Sequence, residues 1–238
     1  METPKPKTLM IFDFDHTLVN GNSNVEIQRF QTIPFTKEIR ELCRSGQNYM
    51  GVIYSILHDK GVTPEEMKAR ILTISLLPGM KELFTYLSSD KYEVIIVSDA
   101  NTVFIEWILT EYGIRQQVRD IYSNPAEFNS DGKLIMKHYH YQNSCDLSSP
   151  NMCKGDIVDK HVRKRQLEGV EYTRLCYVGD GGNDYCPSLR LSSKDYVFVR
   201  ADYDLENMIN ENPGELKAKV ILWSSGRAIL DTLKTFDA

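Results

Sequence analysis

Four short apolar runs, each bounded by polar residues, constrain the fold of this chain more than any other feature of its sequence. The runs are Leu9–Phe12, Val94–Val97, Leu175–Val178 and Tyr196–Val199. Each is too short for a buried helix, whereas a strand covered on both faces has such a continuous apolar sequence. Amphipathic helical patterns, such as the one over residues 104–112, lie between the runs. This alternation predicts an α/β fold with a mainly parallel sheet.

Residues 22–75 interrupt the alternation, because they carry helix signals and no strand-like run. Within them, Thr63-Pro64-Glu65-Glu66 combines a capping threonine, a proline at the first helical position and a glutamate three residues after the cap. We therefore expect a small helical cap at 22–75, inserted into a core domain formed by 1–21 and 76–238. Farther along, residues 128–132 separate two short apolar segments, as the loop of a β-hairpin does.

Composition excludes several classes of protein and favours a cytoplasmic location. Of the 238 residues, 42% are hydrophobic and 26% are charged, and no apolar run approaches the roughly eighteen residues of a membrane helix. The apolar run before Asp13 is too short for a signal peptide, and five cysteines, an odd number, fit reduced thiols. A net charge of -5 argues against sequence-independent nucleic-acid binding. The oligomeric state is left open.

Asp13 and Asp15 directly follow the first predicted strand. In an extended segment, alternate side chains lie on the same side, so the two carboxylates are close together. Two neighbouring negative charges require a cation or a shared proton, which suggests a metal site or an acid/base pair. A solvated acidic turn that caps a helix is the alternative for such a pair taken alone.

A second acidic cluster, Asp180-Gly181-Gly182-Asn183-Asp184, follows another predicted strand. By itself it also fits a Gly-Gly turn with a polar helix start. However, ligands of parallel sheets bind beyond the carboxyl ends of the strands, so both clusters are expected to share one site. Several carboxylate oxygens, with room for water and phosphate, suit Mg²⁺ better than zinc.

Positive charge for an anionic substrate can come from Lys154, at the start of an amphipathic stretch. A helix N-terminus at this position favours anions, although an ordinary surface lysine is the alternative. Ser98 ends the second predicted strand and offers a hydroxyl to a phosphate oxygen; a capping role for Ser98 or Asp99 is the alternative.

With these residues, the chain resembles the haloacid dehalogenase-like phosphohydrolases, whose four signature motifs occur here in order: Asp13-Phe14-Asp15-His16-Thr17, Ser98, Lys154 and Gly179-Asp180-Gly181-Gly182-Asn183-Asp184. It also resembles the small phosphatases that act on phosphocholine, phosphoethanolamine and pyridoxal phosphate, through four further segments: Ile96–Asn101, Ser123–Ala126, Asn151–Lys154 and Trp223–Gly226. The segments Val103–Trp107 and Asn124–Ser130 look more like the pyridoxal phosphate phosphatase branch.

The resemblance implies a Rossmann-like sheet with helices on both faces and a two-step hydrolysis. Asp13 would be the nucleophile that forms an aspartyl phosphate, and Asp15 the general acid and base. Mg²⁺ would be held by Asp13, Asp180 and the backbone carbonyl of Asp15. The resemblance further implies phosphate contacts from Ser98 and Lys154, orientation of metal-bound water or Lys154 by Asp184, and supporting roles for Thr17, Gly181 and Asn183.

Two departures from the family pattern concern the substrate and the cysteines. Asn24 stands where the close relatives usually have an acidic residue thought to contact the substrate head group, so Asp99 alone would supply negative charge to a cationic substrate. The relatives also tend to have three cysteines before the motif lysine, and here Ser148 is in the middle position. The remaining Cys145 and Cys153, with His138 and His140, lack a clean CxxC pair, so an ordinary loop is preferred over zinc.

The sequence therefore predicts a Mg²⁺-dependent phosphatase of a small phosphorylated metabolite, most consistent with pyridoxal phosphate. Phosphoethanolamine, phosphocholine or another small ester such as phosphoserine is the alternative substrate. A catalytically silent scaffold that keeps the fold is the alternative outside enzymes. The cap at 22–75 is expected to act as a lid that shapes the pocket and excludes water.

Overall fold

In this computed structural model, residues 7–30, 36, 37, 39, 41 and 48–237 are described. Their main feature is a six-stranded sheet in which all neighbouring strands are parallel. In spatial order, its strands are β3 (Val118–Asn124), β2 (Tyr92–Asn101), β1 (Lys7–Phe12), β6 (Tyr172–Gly179), β7 (Tyr196–Arg200) and β8 (Lys219–Trp223). The predicted α/β fold with a mainly parallel sheet is confirmed.

The four apolar runs of the sequence form the four inner strands β2, β1, β6 and β7, whereas the two edge strands, β3 and β8, were not predicted. In β3, the polar residues Arg119 and Asp120 interrupt the apolar pattern. In β8, residues 220–223 are continuously apolar, but Val220 and Leu222 are exposed at the edge of the sheet. The prediction therefore succeeded where both faces of a strand are buried.

Helices cover both faces of the sheet, as the alternating burial of its strands requires. Met10 and Phe12 of β1 belong to one hydrophobic cluster, and Leu9 and Ile11 belong to the other. The described helices are α1 (Ser23–Gln28), α2 (Tyr49–Asp59), α3 (Pro64–Ile71), α4 (Met80–Leu87), α5 (Thr102–Glu111), α6 (Lys154–Leu167), α7 (Tyr185–Leu189), α8 (Asp204–Glu211) and α9 (Gly226–Asp237). Within the described residues, we find no helix of the length and apolar character that crossing a bilayer requires.

The described part of the segment between β1 and α4 contains the three helices α1, α2 and α3, joined by turns, and one isolated β-bridge between Val19 and Leu76. The predicted start of α3 is confirmed: Glu66 N–H donates to Thr63 Oγ1 at 3.2 Å, and Thr63 N–H donates to Glu66 Oε2 at 2.9 Å. Apolar side chains of α1, α2 and α3 join the hydrophobic cluster on the α4 side of the sheet. Part of the predicted cap, namely residues 31–35, 38, 40 and 42–47, lies outside the described residues, and its domain boundaries stay a prediction.

The predicted hairpin is also present, as a separate two-stranded antiparallel sheet. Its strands are β4 (Ala126–Phe128) and β5 (Leu134–Met136). Asn129 shapes the loop between them, because its side-chain oxygen accepts hydrogen bonds from the backbone N–H groups of Asp131 and Lys133.

A buried ion network ties helix α6 to the amino-terminal edge of the sheet. Glu93 of β2 accepts hydrogen bonds from Arg165 at 2.9 and 2.7 Å and one from the Tyr172 hydroxyl. Burial raises the pKa of Glu93, but hydrogen bonds from His161, Arg165 and Tyr172 outweigh burial and lower the pKa to about 2. Glu93 is therefore charged in the folded protein at any ordinary pH.

This network predicts a specific loss of stability in acid. Because the folded-state pKa of Glu93 lies below its usual value of 4.5, its stabilisation is present above pH 4.5 and disappears as the pH falls toward 2. We expect Glu93→Gln to lower the free energy of unfolding by about 2 kcal/mol at neutral pH. Urea unfolding between pH 7 and 2 should show the wild-type and variant curves converging in acid, and a constant gap would contradict this account.

Candidate active site

The predicted site residues lie at the carboxyl edge of the sheet because three neighbouring strands end there. Phe12 at the end of β1 pairs with Ile96 of β2 on one side and Val178 of β6 on the other. The residues that follow these positions, Asp13, Ser98 and Asp180, therefore arrive at the same edge.

Lys154 occupies the centre of this edge and is only 1% exposed. Its Nζ lies 2.9 Å from Asp13 Oδ1 and 2.7 Å from Asp184 Oδ1. Burial alone would lower the pKa of Lys154, but the negative charges of Asp13 and Asp184 outweigh burial and raise the pKa above its usual value. The ammonium is therefore charged, as an isolated buried lysine would not be.

Helix α6 places Lys154 because the helix begins at this residue. Cys153 is the N-cap, and its Sγ accepts a hydrogen bond from Asp156 N–H at 3.5 Å. The predicted position of Lys154 at a helix N-terminus is confirmed.

Asp184 is fully buried, and both of its carboxylate oxygens accept hydrogen bonds. Besides Lys154, Oδ1 binds the Tyr177 hydroxyl at 2.6 Å, and Oδ2 accepts from the backbone N–H groups of Asp180 and Gly181, each at 3.0 Å. Asp184 thus fixes both the lysine and the loop that carries Asp180.

Gly179 makes this close approach possible at the end of β6. A Cβ atom there would lie 2.6 Å from the carboxylate of Asp184, which is closer than any real contact. The glycine before the acidic motif is therefore required for packing.

Asp13, Asp180 and Asp184 bring three carboxylates together, with one oxygen from each within 4.8 Å of the others. Burial, then the charges of Asp184 and Asp180, raise the pKa of Asp13 well above its usual value, although Lys154 opposes the shift. Burial and then the negative charge of Asp184 raise the pKa of Asp180 to about 6. The Thr17 hydroxyl opposes this shift by donating a hydrogen bond to Asp180 Oδ1 at 2.8 Å. The negative charge of this cluster exceeds what one lysine can neutralise.

The donor set fits a hard divalent cation. Among the described residues, Asp13 Oδ1 is buried without a hydrogen bond of regular geometry, although it lies near the lysine. An incompletely satisfied carboxylate oxygen beside two further carboxylates is suited to a cation with oxygen ligands, such as Mg²⁺. Of the predicted metal ligands, Asp13 and Asp180 belong to this cluster together with Asp184, whereas the contribution of the Asp15 carbonyl stays a prediction.

The carboxylate of Asp15 is held apart from this cluster by helix α1. Ser23 donates to it twice, from its backbone N–H to Oδ1 and from its hydroxyl to Oδ2, each at 2.9 Å. Burial raises the pKa of Asp15 to about 7, although both Ser23 hydrogen bonds oppose this. The two aspartates of the motif thus have different partners and can have different roles.

Ser98 and Asp99 end β2 in contrasting environments. The Ser98 side chain is fully buried, and its Oγ accepts a hydrogen bond from Ala100 N–H at 3.2 Å. Asp99 is exposed and borders a narrow crevice beside Lys154, which Asn183 and Asn151 also line. The exposed Asp99 and the buried Lys154 therefore line the same crevice.

Asn24 is half-buried on α1, directly after Ser23. Its Oδ1 accepts a hydrogen bond from the Tyr54 hydroxyl at 3.4 Å, and Asn101 Nδ2 donates to the same hydroxyl at 3.1 Å. The residue in the head-group position is therefore neutral and already bonded to a neighbouring helix.

Cys145, Cys153, His138 and His140, the residues weighed for zinc in the sequence, do not all come together. His138 is exposed, and His140 Nε2 accepts a hydrogen bond from the Cys153 backbone N–H at 2.9 Å. Instead, Cys186 of α7 joins Cys145 and Cys153 in a cluster of three thiols.

Sequence reasoning missed two residues that contact the predicted ones. Tyr177 lies within an apolar run, and this run indicates a buried strand but gives no sign of a polar contact. In the structure, its hydroxyl donates a hydrogen bond to Asp184. Ser23 carried no signal, because its contact with Asp15 depends on how α1 packs against the loop after β1.

Comparison with known proteins places the chain in a family. Residues 8–236 match the family model described as Putative Phosphatase. Pyridoxal phosphate phosphatase PHOSPHO2 of Homo sapiens is 37% identical, over 96% of this chain and 98% of that protein. The phosphoethanolamine/phosphocholine phosphatase of Gallus gallus is also 37% identical, over 94% of this chain and 87% of its own.

Solved structures show the same fold at lower identity. Phosphoserine phosphatase in its apo form superimposes with a TM-score of 0.60 at 22% identity, over 95% of this chain and 98% of that protein. The predicted resemblance to the pyridoxal phosphate and phosphoethanolamine/phosphocholine phosphatases is confirmed in sequence, and the phosphoserine phosphatase structure has the same fold. The chain belongs to the Putative Phosphatase family, which it shares with the pyridoxal phosphate and phosphoethanolamine/phosphocholine phosphatases.

Proposed function

We propose that this protein is a Mg²⁺-dependent phosphomonoesterase that hydrolyses pyridoxal phosphate through an aspartyl phosphate on Asp13. The observation that carries the proposal is the buried, charged Lys154 between Asp13 and Asp184, at the edge of the sheet where Asp180 also lies. A cation and a lysine among several carboxylates form a site for a phosphate dianion rather than a neutral ligand.

Asp13 and Asp180, with the backbone carbonyl of Asp15, would hold the metal ion, and Asp184 lies close enough to join them. When bound, Mg²⁺ neutralises charge on the phosphate and in the transition state. Its presence also favours the ionised form of Asp13, which the surrounding carboxylates otherwise disfavour.

In the first step, a carboxylate oxygen of Asp13 attacks phosphorus, and the bond between phosphorus and the ester oxygen breaks. Asp15 donates a proton to the departing alkoxide, which leaves as the alcohol. A pKa of about 7 suits this role, because a large fraction of Asp15 is protonated at neutral pH and the proton is still readily transferred.

In the second step, water attacks the phosphorus of the aspartyl phosphate, and Asp15, now ionised, accepts a proton from that water. The phosphorus–oxygen bond to Asp13 breaks, inorganic phosphate leaves, and both carboxyl groups return to their starting states. Lys154 and the Ser98 hydroxyl bind phosphate oxygens throughout both steps.

The helical segment of residues 22–75 acts as a lid in this proposal. Ser23 of α1 provides both hydrogen bonds that Asp15 accepts, so movement of α1 would change the acid/base as well as access to the site. Closure of the segment over a bound phosphate ester would exclude bulk water from the site.

The choice of pyridoxal phosphate rests on the neutral head-group position and the relatives. Asn24 cannot neutralise a choline or ethanolamine cation, and its oxygen is bonded to Tyr54. The human relative that this chain covers almost completely carries the name pyridoxal phosphate phosphatase. Phosphoethanolamine and phosphocholine are the alternative substrates, favoured by the exposed Asp99 at the crevice beside Lys154.

Phosphate release from pyridoxal phosphate, phosphoethanolamine, phosphocholine and phosphoserine tests the proposed activity. We expect the highest kcat/KM for pyridoxal phosphate, loss of activity with a chelator and recovery with Mg²⁺. Asp13→Asn should lower kcat by at least about 10³-fold, because the amide cannot act as the nucleophile. Asp131→Asn, at an exposed hairpin residue, is the matched control. Equal activity of Asp13→Asn and the wild type would refute the mechanism, and preference for phosphocholine would refute the substrate.

The Ser23 contact predicts a shift in the pH profile. The Ser23 hydroxyl stabilises the charged form of Asp15, so Ser23→Ala should raise the pKa of Asp15 above about 7. The first step needs protonated Asp15, so the alkaline limb of kcat/KM should move upward by roughly one pH unit, the equivalent of one charged hydrogen bond.

Two further variants separate this effect from general disruption. Ser23→Thr keeps the hydroxyl and should restore the wild-type profile. Ser55→Ala removes a helical hydroxyl that donates to the Gly51 carbonyl and should leave the profile unchanged. An unshifted limb in Ser23→Ala would show that Asp15 is not the group that titrates.

A further inference from the structure

Three cysteines from separate parts of the fold meet next to the catalytic lysine. Cys145 lies in the loop between β5 and α6, Cys153 caps α6, and Cys186 lies in α7. The Cys186 Sγ is 3.4 Å from the Sγ of Cys145 and 3.7 Å from that of Cys153. All three sulfur atoms lie within 4.8 Å of one another.

We propose that Cys145, Cys153 and Cys186 bind a Zn²⁺ ion at a site distinct from the aspartate cluster. Two thiolates on a tetrahedral zinc, each about 2.3 Å from the metal, are about 3.8 Å apart. The observed separations are near that value and far longer than the roughly 2.05 Å of a disulfide bond. Soft sulfur ligands select zinc over Mg²⁺.

Hydrogen-bond donors surround the sulfur atoms, as thiolates on a metal require. Asp156 N–H donates to Cys153 Sγ at 3.5 Å. The guanidinium of Arg190 lies beside Cys186. Such donors stabilise the negative charge of a thiolate and orient it toward a metal.

Ser148 defines the remaining side of the cluster. Its Oγ lies 3.4 Å from Cys145 Sγ. His140, the nearest imidazole considered from sequence, is occupied by the Cys153 backbone N–H. The fourth coordination position of the zinc therefore belongs to the Ser148 hydroxyl or to water.

The loop of residues 137–153 provides a structural reason for the metal. As described, this segment contains neither helix nor strand, and loops of such length normally need another source of order. The Gln142 side chain organises its turn by donating to the carbonyl oxygens of Cys145, Ser148 and Ser149. Zinc would join this turn to α6, which begins at Lys154, and to α7, which begins directly after Asp184. The metal would thereby hold both helices in place at the site.

Metal titration of the reduced, metal-free protein tests the proposal with Cd²⁺ and Co²⁺ as spectroscopic probes for zinc. We expect one equivalent to give thiolate-to-metal charge-transfer absorption, which carboxylate ligands do not produce. Zn²⁺ should displace the probe and raise the Tm. Cys145→Ser, at a half-exposed residue, and Cys186→Ser should each lose the absorption, whereas Cys176→Ser, at a strand residue outside the cluster, should keep it.

Ser148→Cys provides a gain-of-function test that does not depend on a weakened core. A fourth thiolate should tighten zinc binding at least about tenfold in competition with a chromophoric chelator. Circular dichroism checks that each variant is folded. Absence of charge-transfer absorption in the wild type, equal absorption in folded Cys145→Ser, or unchanged affinity in Ser148→Cys would each overturn the zinc site.

Discussion

The buried charge of Lys154 is the interaction on which the rest of the site depends. An ammonium group removed from water is destabilising by several kcal/mol unless it is paired, and here it contacts Asp13 and Asp184. The pairing brings together the end of β1, the start of α6 and the loop after β6. Asp184 extends the network to Tyr177 and to two backbone N–H groups, so that each part of the site fixes another.

This arrangement leaves an excess of negative charge, which gives the site its proposed chemistry. Asp13, Asp180 and Asp184 lie close together around one lysine, and burial with mutual repulsion raises the pKa values of Asp13 and Asp180. In the proposed mechanism, a divalent cation held by these carboxylates would relieve the repulsion, and the cation and the lysine together would bind a phosphate dianion. Asp15 is bonded to Ser23 instead, and a pKa of about 7 would let it carry the proton that the leaving group needs.

The predictable parts of the fold are those fixed by local sequence or by complete burial. The continuous apolar runs identify β1, β2, β6 and β7, and the capping box identifies the start of α3. The edge strand β8 also has an apolar run, residues 220–223, but Val220 and Leu222 are exposed, and only the pairing with β7 identifies the run as a strand of this sheet.

In the site too, some residues are predictable from local sequence, whereas others depend on tertiary packing. Asp13, Asp180 and Lys154 follow strands or begin a helix, so topology alone brings them together. Ser23 and Cys186 acquire their partners through packing between segments distant in sequence, and no local pattern specifies those contacts.

The most direct test of the central claim is to identify the phosphorylated residue. Asp15→Asn should form the covalent intermediate from an aryl phosphate, whose leaving group needs little protonation, and should accumulate it because the base for hydrolysis is missing. After an acid quench, peptide mass spectrometry should find one phosphoryl group on Asp13, and none in Asp13→Asn/Asp15→Asn. A phosphoryl group on another residue, or turnover of Asp15→Asn without any phosphoenzyme, would contradict the account.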